Sequence, residues 1–191
     1  MAVRPLTNAD WGFETSCYVC EPTNPLGLRI PFFHDEEADV VTAEFRLGAA
    51  HSGAPHYVHG GVLLAVLDEA MAWAAIALAG RFAVVQSTAT TFDRPVRIDE
   101  LHRVEARVHD RTDTAVTARA SVADAGGRRC AEARARMVVL STAVAGAAIG
   151  PVTGADIRYL RPLPSQPAHP EEAATPAPPA APARPSQETP T

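Results

Sequence analysis

The chain has 191 residues, 47% of them apolar and 20% charged, which suits one folded domain with a sizeable core. Its formal net charge of −5 argues against general nucleic-acid affinity. All 17 basic residues are Arg, and a chain without Lys excludes a P-loop, an internal Schiff base and a pyridoxal phosphate enzyme.

Residues 1–25 carry Pro5, Pro22 and Pro25 with little periodicity, and read as an irregular or partly helical lead-in. They lack the apolar core of a signal peptide, so the expectation is a cytoplasmic protein. Cys17 and Cys20 form a CxxC, and with Cys130 the total is three, an odd number that makes no disulfide framework. No second Cys/His pair follows at zinc-finger spacing, so the expectation is a pair of reduced thiols in a turn and no metal. Residues 26–33 alternate as a strand, with Pro31 hinting at an edge position. Residues 34–37 are then a turn and 40–47 a second strand, forming a hairpin. Residues 48–58 are a loop of small and turn-forming residues that includes His51 and His56.

His59-Gly60-Gly61 opens a run that stays apolar through Ala79 and stops at Gly80, interrupted only by Asp68 and Glu69. A helix apolar nearly all round is a buried helix, here of about 18 residues and roughly 27 Å. That is nearly the length of a membrane span, but two adjacent acids at its centre argue against crossing a bilayer. Beyond Gly80 the pattern changes to β. Residues 83–92 form a strand ended by Arg94-Pro95, and residues 101–110 place Val104, Ala106 and Val108 on one face. Residues 115–124 repeat the alternation, Gly126-Gly127 turns the chain, and residues 128–141 close the series. The order β-β-α-β-β-β-β predicts an α+β domain over residues 26–142, a long antiparallel sheet wrapped around one central buried helix. Residues 143–161 are an Ala/Gly-rich closing segment. Ten of the 17 prolines fall in residues 162–191, a composition that cannot bury enough apolar surface to fold and predicts a disordered tail.

A carboxylate inside an apolar helix needs a reason, because an unpaired buried charge costs several kcal/mol, on the order of a domain's whole stability. Asp68 shares its side of the helix with Leu64, Met71, Ala72 and Ala75, which together suggest an apolar pocket. Glu69 lies about 100° further round, beside Val62, Val66 and Trp73, and the pattern alone leaves both acids open. At the helix start, Gly60 and Gly61 let another group approach the backbone, and first-turn N–H groups have no partner within the helix. Donors there can hold a carbonyl oxygen as it becomes an oxyanion.

The stretch HGGVLLAVLDEA, followed by a strand ending FDRPV, resembles the hotdog-fold acyl-CoA thioesterases of the PaaI-like group. The lead-in CYVCEPTNPLGLRI resembles a C-x-x-C-x-x-x-N-P-x-G-L segment of one branch of that group. The resemblance covers residues 15–141 and implies the hotdog fold, with subunits paired through their sheets as a homodimer or homotetramer and sites at the interface. It implies hydrolysis of an acyl-CoA thioester without a cofactor, with neither nucleic acid nor membrane as partner. Carried onto this sequence, the catalytic carboxylate falls on Asp68, the carbonyl-polarising backbone N–H on Gly60 and the motif histidine on His59, with Gly61 beside them. Many members have an Asn or Gln before the HGG, where His56 stands as the substitute. Many have a Ser or Thr ten residues before the strand's Pro. That position is Val85 here, and alternation offers Ser87 on the same face. Arg94 and Arg97 are the candidates for the coenzyme's phosphates. The altered helpers favour a first alternative, a non-catalytic hotdog protein that binds acyl-CoA as a sensor or scaffold; a hotdog dehydratase and a structural protein whose Pro-rich tail recruits partners are the others.

Overall fold

A computed structural model describes residues 3–11, 15–141, 144, 146 and 147. The tail 162–191 and most of the closing segment 143–161 lie outside the described residues. The strands are β1 (Val3–Leu6), β2 (Phe32–Asp35), β3 (Val40–Phe45), β4 (Ser52–Ala54), β5 (Tyr57–Val58), β6 (Ala83–Phe92), β7 (His102–Arg111), β8 (Ala115–Asp124) and β9 (Arg129–Val139). The helix α1 is Gly60–Ala77. Seven strands form one antiparallel sheet in the order β1-β2-β3-β7-β8-β9-β6, while β4 and β5 make a separate two-stranded hairpin. This is the expected hotdog architecture, with α1 packed on the inner face of the sheet against β2, β3 and β6 to β9.

Small side chains let the helix sit close. The inner face of the central strands carries Ala106, Ala118, Ala120, Ala133 and Ala135, and the helix answers with Ala70, Ala74 and Ala75, all buried. Val66, Leu67, Met71, Val104, Val116, Val122 and Met137 fill the space left between them. By length and composition α1 could cross a membrane, but here the sheet wraps it. Gly80, at φ 62, ends the helix in the left-handed region that favours glycine, and the Gly80 and Arg81 N–H groups donate to the Ile76 and Ala75 carbonyls.

Four features differ from the sequence reading. The lead-in is not merely irregular, because Val3–Leu6 adds edge strand β1, with Pro5 opposite Phe33, and Asn8–Trp11 is a short 3₁₀ turn. The strand expected over 26–33 shifts to Phe32–Asp35. Its early residues are committed elsewhere: the Leu28 N–H donates to the Tyr18 carbonyl at 2.7 Å and the Ile30 N–H to the Val19 carbonyl at 2.9 Å. The loop over 48–58 contains the β4–β5 hairpin. Finally, β6 carries a bulge between Val85 and Ser87, which inverts its facing beyond that point.

Candidate active site at the helix start

The chain into α1 is fixed at both ends. The His59 N–H donates to the His51 carbonyl at 2.9 Å, and the Val58 N–H to the Val96 carbonyl at 2.8 Å. Tyr57 bridges Arg97, whose guanidinium lies 5.7 Å from the Tyr57 ring centre. These contacts hold the helix start against the end of β6, so that a methyl placed on Gly60 would meet the Phe92 ring at 3.8 Å.

His59 is the N-cap, with extended backbone, and its Nδ1 accepts the Gly61 N–H at 2.9 Å. The ring therefore carries its proton on Nε2 when neutral. That bond occupies the Gly61 N–H, so Gly61 contributes open space rather than a donor. The Gly60 N–H has no partner among the described residues. It points from a helix N-terminus, where the helix dipole adds to its pull on a developing negative charge.

Asp68 lies eight residues along, about 12 Å down the axis. It sits in a stripe of α1 that is only partly covered, with Gly61, Leu64, Ala65, Ala72 and Ile76. Burial pushes the Asp68 carboxyl above its ordinary value. Met71 and Ala75, expected in the same pocket, are fully buried and belong to the core. Leu64 and Ala72 remain on the open stripe.

Glu69 lies about 100° round the helix from Asp68, beside the CxxC. Its carboxylate oxygen and the Sγ atoms of Cys17 and Cys20 all lie within 4.8 Å of one another. Burial, with Cys17 next in weight, pushes Glu69 up to about 7. Cys20 holds the Cys17 thiol down to about 5, against burial, while Cys17 and burial push Cys20 up. The helix thus separates the two acids by their surroundings.

The bulge in β6 corrects the choice of Ser87. Across from β6, Met137 and Ala135 are buried and Arg136 is exposed. Val85 pairs with Met137, Ser87 with Arg136 and Thr88 with Ala135. Paired residues share a face, so Ser87 points outward and Thr88 takes the helix-facing side. Thr90 follows on that side, its Oγ1 buried without a hydrogen-bond partner among the described residues. Sequence alternation missed Thr88 because nothing in Val85-Gln86-Ser87 marks a bulge.

The remaining candidates are peripheral. His56 is exposed in the β4–β5 turn, where its carbonyl accepts the Ile98 N–H at 3.2 Å. Arg94 donates from Nη1 to the Arg129 carbonyl at 2.9 Å. Arg97 lies 3.9 Å from Glu100.

The comparisons agree with this architecture. Residues 56–131, which include the capped helix, Asp68 and most of the sheet, match the model of the thioesterase superfamily. Over that stretch the chain is similar to the thioesterase superfamily, and the domain has the hotdog fold. A solved thioesterase superfamily protein is 22% identical over 68% of this chain and 67% of its own, with a TM-score of 0.60. The PaaI protein of the E. coli phenylacetic acid degradation operon is 18% identical, covers 60% of this chain and 81% of its own, and gives 0.54. A Streptococcus mutans protein bound to acetyl CoA is 16% identical, covers 53% and 82%, and gives 0.51. At these identities the likeness is one of fold. A search of curated proteins matches nothing.

Proposed function

We propose that this protein is an acyl-CoA thioesterase that hydrolyses its substrate to a free acid and CoA. One observation carries the reading: a Gly60 N–H without a partner among the described residues, at a helix start, and a partly buried Asp68 further along the uncovered side of that helix. The acetyl CoA held by one structural neighbour supports the ligand class. The carbonyl oxygen of the thioester takes the Gly60 N–H, which strengthens as that oxygen becomes an oxyanion. Asp68 either removes a proton from the attacking water or attacks the acyl carbon itself, forming an anhydride that water then opens. Collapse of the oxyanion expels CoA as its thiolate, which takes up a proton. His59 orients the helix start through its cap. Thr88 replaces Ser87 as the hydroxyl that positions water or substrate. The coenzyme's phosphates run toward the arginines at the surface end of β6, Arg94 and Arg97 among them.

The site is completed by a second copy. β6 is an edge strand of ten residues, with Val84 46% and Phe92 53% exposed, a long unpaired edge of the kind that pairs with another chain. Pairing there would cover the Asp68 stripe. A homodimer, or a tetramer built from two, acts in the cytoplasm, where the CxxC thiols stay reduced.

The test is release of free CoA thiol across acyl-CoAs of different length and aromaticity. Asp68→Asn should lose about 10²–10⁴-fold in rate, the range of a positioned acid or base, while keeping its oligomeric state. If Glu69→Gln is the dead variant and Asp68→Asn is not, the wrong acid has been assigned. Tight acyl-CoA binding with no hydrolysis by the wild type would favour the sensor reading.

A further inference from the structure

The CxxC has no part in the chemistry proposed for Asp68, yet the fold devotes a whole loop to holding it. The Asn24 side chain donates to the Ser16 carbonyl at 2.9 Å and accepts the Leu26 N–H at 3.0 Å. Gly27 is needed because a Cβ there would stand 2.7 Å from the Tyr18 carbonyl oxygen. The Tyr18 and Val19 carbonyls accept the Leu28 and Ile30 N–H groups. This bracing sets Cys17 and Cys20 over Glu69, in the middle of α1.

We propose that Cys17, Cys20 and Glu69 bind a divalent metal ion, zinc by ligand class, that clamps the N-terminal loop onto the helix carrying Asp68. Three observations support it. First, the sulfur and oxygen atoms already lie within 4.8 Å of one another. Ligands of a tetrahedral zinc with Zn–S of about 2.3 Å stand roughly 3.8 Å apart, so closing the site takes small side-chain rotations. Second, the Val19 and Cys20 N–H groups both point at Cys17 Sγ, at 3.3 and 3.4 Å. Backbone donors converging on sulfur favour a thiolate, the form that binds metal. Third, Glu69 is a partly buried carboxylate with no cationic partner among the described residues, in a core where a charge is normally paired or metal-bound.

Two thiolates and one carboxylate suit zinc better than calcium or magnesium, which take oxygen ligands. The fourth position falls to water or to Asn8, whose side-chain amide lies 3.3 Å from Cys20 Sγ and whose O and N are interchangeable by a flip. A cavity of about 180 Å³ bordered by Asn8, Cys20, Pro22 and Phe32 reaches the Cys20 side of the site. On binding, the thiols release their protons to solvent, so uptake is pH-dependent. The sequence did not show this site because its third ligand comes from a distant element.

The experiment titrates the full-length, chelator-stripped, reduced chain with zinc ion against a chromophoric competitor. Stoichiometric uptake with a rise in Tm is expected. The Cys17→Ser/Cys20→Ser double variant should bind at least 100-fold more weakly and Glu69→Gln about tenfold more weakly. Cadmium ion should give a sulfur-to-metal charge-transfer band in the wild type alone. Should the double variant misfold, alkylation of the wild type decides, since bound zinc ion must protect Cys17 and Cys20. Uptake by the wild type no tighter than by the double variant, or unprotected thiols, would overturn the site. Wild-type affinity in Glu69→Gln would remove Glu69 from it. Because the readout is metal content, failure here is separate from failure of the thioesterase reading.

Discussion

Two adjacent acids on one helix behave differently because about 100° of side-chain direction separates their surroundings. Asp68 opens onto an uncovered stripe, and Glu69 onto two thiols. Asp68 must be ionised to accept a proton or attack carbon. Its pKa is raised by burial, so kcat/KM should fall as pH drops through that raised value, and the acid limb should lie above the ordinary carboxylate range. A pH–rate profile checks this, and the residual activity of Asp68→Asn should lack the limb. Gly60→Ala separates fold from chemistry. Its methyl would make only ordinary contact with Phe92, so stability should hold or rise by up to about 1 kcal/mol. The same methyl crowds the oxyanion's approach, and kcat/KM should fall tenfold or more. A matching loss of Tm would mean that Gly60 serves packing instead.

At the scale of the element, the bulge in β6 decides which hydroxyl faces the helix. Thr88→Ala should lower kcat about tenfold, the worth of one hydrogen bond made in the transition state, whereas Ser87→Ala should change it little. The reverse result would mean that β6 runs without the bulge. The CxxC loop makes a separate prediction. Gly27→Ala forces a Cβ into the Tyr18 carbonyl and should cost about 1–3 kcal/mol in denaturant unfolding. His59→Ala removes an N-cap, worth about 1 kcal/mol, and leaves the Gly61 N–H competing for the oxygen that Gly60 should hold.

At the scale of the whole molecule, the sheet is closed by neighbours everywhere except at its outer strands β1 and β6. β1 is short and contains Pro5, which blunts it as a pairing edge. β6 is long, proline-free and exposes Val84 and Phe92. Val84→Lys should therefore shift the protein toward monomer in sedimentation, with unchanged circular dichroism and a large loss of activity. A dimer that survives this change would have to use another face.

The sequence alone determined the helix, its burial and the strands β6 to β9, because hydrophobic period 3.6 and period 2 are local properties that each segment displays by itself. It also placed the acid pair and the glycines of the helix start in one segment, while the pattern left both acids open and only the resemblance singled out Asp68. The N-terminal strand was not legible, since Val3–Leu6 becomes a strand only where Phe32–Asp35 offers it an edge. Nor was the switch from Ser87 to Thr88, because a bulge is fixed by pairing with β9 and leaves no mark of its own in the residues. Only the tertiary structure divided Asp68 from Glu69 by environment and brought Cys17 and Cys20 to the latter, since contacts between segments distant in the chain are set by packing and not by either segment's own pattern.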